Sequence, residues 1–204
     1  DVRSGMRRMV RGLLDAGRVA PAYVGGPEDS TVSIQKLARF RDALATAGLP
    51  VQAVPVQRGP FSLQAGHDAA RSLLADPARR PDCLVAENDL LAVGCLRGAR
   101  EMGVRVPDDL WVTGFDDIPL AAMVDPPLTT VSLPIREMGE AAVRLMAAAL
   151  GVPEDAAGEA AGEASNDAAK GPAASGEALG ILEVLPVVVV RESARPAPEA
   201  GQMS

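Results

Sequence analysis

Residues 85–131 read VAENDLLAVGCLRGAREMGVRVPDDLWVTGFDDIPLAAMVDPPLTTV. A short apolar run, Cys83 to Ala86, leads into this stretch and breaks at Glu87-Asn88-Asp89. From Leu90 to Met102 the apolar residues recur at helical spacing until Gly103 stops the pattern. A second apolar run, Leu110 to Gly114, follows and ends in Phe115-Asp116-Asp117. Both runs are apolar throughout rather than alternating, which is the mark of parallel strands covered on both faces. The stretch therefore predicts a strand–helix–strand unit with a right-handed crossover.

Working upstream, the pattern repeats. Met6, Met9, Val10, Leu13 and Leu14 mark an amphipathic helix closed by Gly17, and Val19 to Val24 reads as a strand running into Gly25-Gly26-Pro27. Asp29 or Ser30 caps a helix whose apolar face is Ile34, Leu37, Phe40, Ala43 and Leu44, ending at Gly48. Val51 to Val56 is strand-like and Leu63 to Leu74 helical. Downstream, an irregular stretch to Pro127 gives way to a strand-like Leu128 to Leu133 and a helix from Arg136 to Leu150. Residues 152–181 are an Ala/Gly/Glu tract of low complexity, expected to be a disordered loop because its glycines and prolines count against helix. Leu185 to Val190 reads as a late strand returning to the buried sheet, and 194–204 as a flexible tail. The predicted fold class is α/β, a parallel sheet with helices on both faces.

The 204 residues carry a formal net charge of −7, which argues against this chain gripping a phosphate backbone by itself. Six acids against the single base Lys170 lie between Glu154 and Glu177. Cys83 and Cys95 have no CxxC spacing and the only histidine is His67, so neither a zinc site nor a disulfide framework is expected. No apolar run approaches the roughly 20 residues that span a bilayer, and the default expectation is a cytoplasmic protein. With only five aromatics, Tyr23, Phe40, Phe61, Trp111 and Phe115, the core must be aliphatic.

In open parallel sheets ligands bind beyond the carboxyl ends of the strands. That rule selects the loops 26–33, 58–63, 87–90 and 115–119. Asn88 offers donor and acceptor, Asp89 and Asp116 accept from hydroxyl groups, and Phe61 supplies a flat apolar face. Asp89 serves equally as a helix cap, Phe61 sits in the turn chemistry of Gly59-Pro60 and Ser62 and reads as pocket mouth with core as the alternative, and Asp117 reads as structural. No nucleophile motif or phosphate-binding loop is present, and His67 has no sequence partner for catalysis or for a metal.

These residues resemble the effector-binding domain of lactose-repressor (LacI/GalR) family regulators: an AxND strand end, a VP-DD turn, GFDD and PPLTTV, flanked by AYVGGPEDSTVSIQKLARFRDALATAGLP at 22–50, GPFSLQAGHDAARSLL at 59–74 and VVVVRES at 187–193. The resemblance implies a periplasmic-binding-protein-like type I fold of two subdomains around a ligand cleft, preceded by a helix-turn-helix head. It implies that this chain is mainly the C-terminal subdomain, residues 1–125 and 182–193, and lacks both the head and most of the first subdomain, to which residues 126–151 would belong. That segment is expected to expose its apolar face. The effector contacts implied are Phe61, Asn88, Asp116 and Lys36, the last standing where the family usually has Arg.

The function expected is sensing of a sugar-like effector in a DNA-binding transcriptional regulator, as a homodimer in the full-length protein, with operator DNA read through the head and no membrane partner. No cofactor and no catalytic residue is expected. A periplasmic transport receptor is the competing binding role. A glycoside hydrolase would need Asp89 and Asp116 as its acid–base pair.

Overall fold

The computed structural model describes residues 2–150 and 185–195. In chain order the elements are α1 (Val2–Asp15), β1 (Pro21–Gly25), α2 (Thr31–Thr46), β2 (Val56–Arg58), α3 (Leu63–Leu74), β3 (Cys83–Ala86), α4 (Asp89–Glu101), β4 (Trp111–Asp116), α5 (Pro119–Met123), β5 (Thr129–Ser132), α6 (Ile135–Ala149) and β6 (Val187–Val189). Two compact units result: residues 2–133 with 186–195, and residues 134–150 with Leu185. The first holds a six-stranded sheet in the order β2-β1-β3-β4-β5-β6.

Pairing is parallel from β2 through β5, as the apolar strand pattern requires. Side chains on successive strand positions point to opposite faces, and this splits the core in two. Ala22, Val24, Leu84, Ala86 and Val112 face Ala70, Leu74, Leu91, Cys95 and Ala99 of α3 and α4. Tyr23, Cys83, Val85, Trp111, Phe115 and Val131 face Met6, Met9, Val10, Leu13, Phe40 and Leu44 of α1 and α2. Both cysteines are buried free thiols. Serine and asparagine side chains start the helices: Ser30, Ser62 and Asn88 accept from the backbone N–H of Ser33, Ala65 and Leu91 respectively.

Helices α3 and α4 touch backbone to backbone. A side chain on Gly66 would run into the Leu91 carbonyl, and one on Gly94 into the Leu63 carbonyl.

Several sequence expectations need correction. Residues Val51–Ala53 form a short 3-10 turn rather than strand, and only Val56–Arg58 pairs. Pro50 and Pro55 bracket that segment and have no N–H to give, so β2 is a short edge. Ile34 is 52% exposed; Ser33 and Lys36 face inward in its place, because the start of α2 overhangs polar strand ends rather than the core. Residues 126–133, expected in the second segment, include β5, which hydrogen-bonds β4 from Thr113↔Thr129 to Asp116↔Ser132; the boundary falls after Leu133. The late strand β6 is antiparallel to β5 and half-exposed rather than buried. Ala194, expected in the flexible tail, packs into the α1/α2 face of the core. The 152–181 tract lies outside the described residues. Within α6, Ile135, Met138, Leu145 and Met146 are exposed.

Candidate functional site

The carboxyl ends of β1, β3 and β4 place three loops side by side: Gly26–Ser30 before α2, Glu87–Asn88 before α4, and Asp117–Ile118 before α5. Lys36 enters from the second turn of α2. Its ammonium donates to the Glu87 backbone carbonyl at 3.0 Å and to Asp116 Oδ1 at 3.3 Å, and stands 4.3 Å from the centroid of the Phe115 ring. Only 10% of the Lys36 side chain is exposed, against 33% for Asp116. The cation is thus held by a carbonyl, a carboxylate and an aromatic face instead of by water.

Asp116 has φ 110° and Asp117 φ 56°, conformations that an L residue adopts at a cost. Burial raises the pKa of Asp116; Lys36 pulls it back and Glu87 adds to the rise. Asp117 turns away to pair with Arg191 at 2.8 Å. Asp117 is thus tied into the fold, while Asp116 keeps a third of its side chain exposed.

Asp89 is 1% exposed, and it neither caps α4 nor opens to solvent. Asn88 is the cap; Asp89 accepts from the Thr130 hydroxyl and, at 2.8 Å, from the Ile118 N–H, tying α4 to β5 and to the loop after β4. Burial raises its pKa, against the hydrogen bonds from Thr130 and Ile118. Asp89 and Asp116 do not form an exposed acid–base pair. Phe61 is 42% exposed and belongs to no core cluster; its ring lies where a side chain on Gly26 would project. Lys36 and Asp116 are thus in direct contact, with Phe61 on the neighbouring loop and Asn88 next in sequence to Glu87.

Sequence reasoning passed over Glu87. It is 1% exposed and accepts from the Gly26 N–H at 2.7 Å and the Ser33 hydroxyl at 2.7 Å. Arg58 secures the same turn by donating to the carbonyls of Gly26 at 3.1 Å and Pro27 at 2.8 Å. An acid directly after an apolar strand was the available signal.

His67 lies elsewhere, on α3. Its ring nitrogens sit 2.8 Å from Asp68 and 2.7 Å from Glu101, so both are engaged and neither is free to move a substrate proton. A depression of about 340 Å³ at the opposite ends of the strands is lined by Leu96, Arg100, Val104, Arg105 and Asp125. Its arginines are already paired, Arg100 with Asp125 and Arg105 with Asp109, so it offers no free cation. Among the described residues no group of three or more His, Cys, Asp or Glu could hold a metal ion, and no helix is long and apolar enough to cross a membrane.

Comparison with known proteins adds the following. Residues 10–164 match the family described as periplasmic binding protein-like domain. The chain is 44% identical over 146 residues to an uncharacterized HTH-type transcriptional regulator in the aml 5' region of Streptomyces limosus, covering 70% of this chain and 41% of that protein. It is 37% identical over 134 residues to the ribose operon repressor of Escherichia coli K12, covering 66% of this chain and 40% of that one. Among solved structures it is similar to a complex of the transcriptional regulator CelR with cellobiose, with a TM-score of 0.71 and 29% identity over 95% of this chain and 52% of that chain. The chain spans about two fifths of the length of these curated relatives.

Proposed function

The chain belongs to the periplasmic binding protein-like domain family, as an effector-binding domain of LacI/GalR type, and we propose from this that it senses a small hydroxylated effector at the ends of β1, β3 and β4. The observation that carries the reading is the Lys36–Asp116 pair. An ammonium and a carboxylate 3.3 Å apart give a ligand hydroxyl a donor and an acceptor together, and Asp116 retains one third of its surface for that contact. Asn88 adds an amide N–H₂ whose oxygen is already spent on the α4 cap, and Phe61 adds an exposed ring on which the apolar face of a sugar stacks.

The relatives are transcriptional regulators, one named for the ribose operon and one solved with cellobiose. By extension the whole protein is a cytoplasmic, homodimeric, non-enzymatic regulator that reaches operator DNA through a separate head, and effector binding shifts its population between two arrangements. The segment after Leu133 belongs to a second subdomain in that scheme.

A thermal-shift series with D-ribose, cellobiose and unrelated polyols tests this. A ligand at a hundred times its Kd stabilises the folded state by about 2.7 kcal/mol. A rise in Tm with one sugar that Asp116→Ala abolishes is the expected result. A Tm unmoved by every compound in a cooperatively melting chain removes the reading.

A further inference from the structure

In doubly wound folds a glycine turn leading into a helix is where ligand anions are cradled, because free N–H groups and the helix dipole converge there. The turn Gly25-Gly26 and the start of α2 have this form, and the place of the anion is taken by the protein's own Glu87. One carboxylate oxygen accepts the Gly26 N–H at 2.7 Å and the other the Ser33 hydroxyl at 2.7 Å. Ser33 is the third residue of α2, so the carboxylate lies against the positive end of that helix. The Phe61 ring and the Ser33 hydroxyl fill the space beside Gly26, and Arg58 fixes the turn from outside through the Gly26 and Pro27 carbonyls.

A glutamine would keep both contacts, its oxygen accepting from the Gly26 N–H and its N–H₂ donating to the Ser33 hydroxyl, without the cost of burying a charge. An acid at 1% exposure, where an amide would keep both contacts, therefore calls for a reason beyond shape. Its effect on the site is electrostatic. Lys36 is held by the Glu87 carbonyl and by Asp116, and Arg58 by the Gly26 and Pro27 carbonyls, so the two acids Glu87 and Asp116 stand against two cations and removing the Glu87 charge would leave the cluster net positive. A phosphate brought to this cluster meets no net positive charge and finds the Gly26 N–H already taken.

We propose that Glu87 is the specificity-determining anion of this site: it fills the cradle between Gly26 and Ser33 and makes the site select an uncharged, hydroxyl-bearing effector over its phosphorylated counterpart. The proposal rests on the effector-binding reading of the same site and narrows its ligand class.

The test uses the 204-residue chain, Glu87→Gln, which keeps the shape and removes the charge, and Glu87→Asp, which keeps the charge. Each is titrated with inorganic phosphate, D-ribose and D-ribose 5-phosphate, following the Gly26 and Ser33 amide signals by NMR and the affinities by calorimetry. Inorganic phosphate leaves both signals of the parent chain and of Glu87→Asp in place, and moves them in Glu87→Gln with an affinity about tenfold or more higher. Wherever ribose binds, the preference for ribose over its 5-phosphate shrinks by a similar factor in Glu87→Gln. Phosphate that moves Gly26 and Ser33 of the parent chain overturns the proposal, whether or not the variant folds. A folded Glu87→Gln that gains no phosphate affinity overturns it too. Phosphate gained by the variant while no sugar binds any form keeps Glu87 in the cradle and removes the effector reading instead.

Discussion

At the level of single residues, the polar groups at the strand ends divide into those left partly open and those tied up within the fold. Asp89 is of the second kind: without its carboxylate, the Ile118 N–H and the Thr130 hydroxyl are left buried with no acceptor. Each such orphan costs about 1–3 kcal/mol, partly offset by no longer burying a carboxyl. Asp89→Ala is expected to lower stability by about 2 kcal/mol in urea unfolding; a change under about 0.5 kcal/mol, the range of ordinary surface substitutions, contradicts this role. Asp116, Asn88 and Phe61 were legible as candidates because the strand-end rule selects their loops, and Lys36 because the family resemblance marks its position. Glu87 was not singled out, since its partners are 61 and 54 residues away and no local pattern announces them. The same distance hid the cap: Asn88 and Asp89 stand side by side, and only the Thr130 hydroxyl, 41 residues on, shows which of the two is drawn inward.

Pairs of elements obey a different logic, and α3 against α4 is the instructive case. Their periodic apolar faces were readable, but the glycines inside them looked like weak points. Gly66 and Gly94 are instead where the two backbones meet, so Gly94→Ala forces the helices apart and is expected to cost about 1–3 kcal/mol in chemical unfolding; wild-type stability in that variant would refute the close contact. Across the same seam His67 is clamped by Glu101 of α4 and by Asp68, with Gln64, Arg71 and Arg97 around them. The hydrogen bond to Glu101, then that to Asp68, raises the histidine pKa above its ordinary 6.5. Its contribution is therefore complete below 6.5 and is lost as pH rises through the folded value. The carboxyls of Asp68 and Glu101 are lowered by their hydrogen bonds to His67, so theirs is present above 3.8 and 4.5 and is lost as pH falls through their folded values. The clamp is strongest between about 4.5 and 6.5. Circular dichroism melts at pH 5.5 and pH 8 are expected to show a Tm difference that shrinks in His67→Gln; an identical difference in the variant would exclude the clamp. Sequence could not supply this, because His67 and Glu101 are 34 residues apart on separate helices.

For the whole molecule, the parallel α/β class and the order of its elements were legible from periodicity, while the closure of the sheet was not. The apolar run Leu185 to Val190 reads as a strand returning to the buried sheet; its direction is antiparallel because the chain re-enters beside β5 after residues 134–185, with Ser132 opposite Val187. Leu133 and Pro186 therefore meet as the two ends of a hairpin. Replacing 134–185 by a short Asn-Gly turn is expected to leave a cooperatively melting domain with a Tm within about 5 °C, since the six-stranded unit carries its own core on both faces of the sheet. Loss of cooperative melting would show that the two units do not fold independently. Legibility failed here for a physical reason: strand direction depends on where a distant segment returns, not on the residues of the strand.

The last described residues also stitch the sheet: Ser193 donates to Val112 and accepts from Thr129, while Arg191 pairs with Asp117. On the ribosome's clock these ties impose a delay. Val112 is made 81 residues before Ser193 and Asp117 74 residues before Arg191. At roughly 5–20 residues per second, several seconds pass in which β5 has an open edge and Asp117 has no guanidinium. A nascent chain thus carries the four candidate effector-contacting residues long before the ion pair beside Asp116 can form, and the half-made sheet is the stage at which chaperone or misassembly would find it.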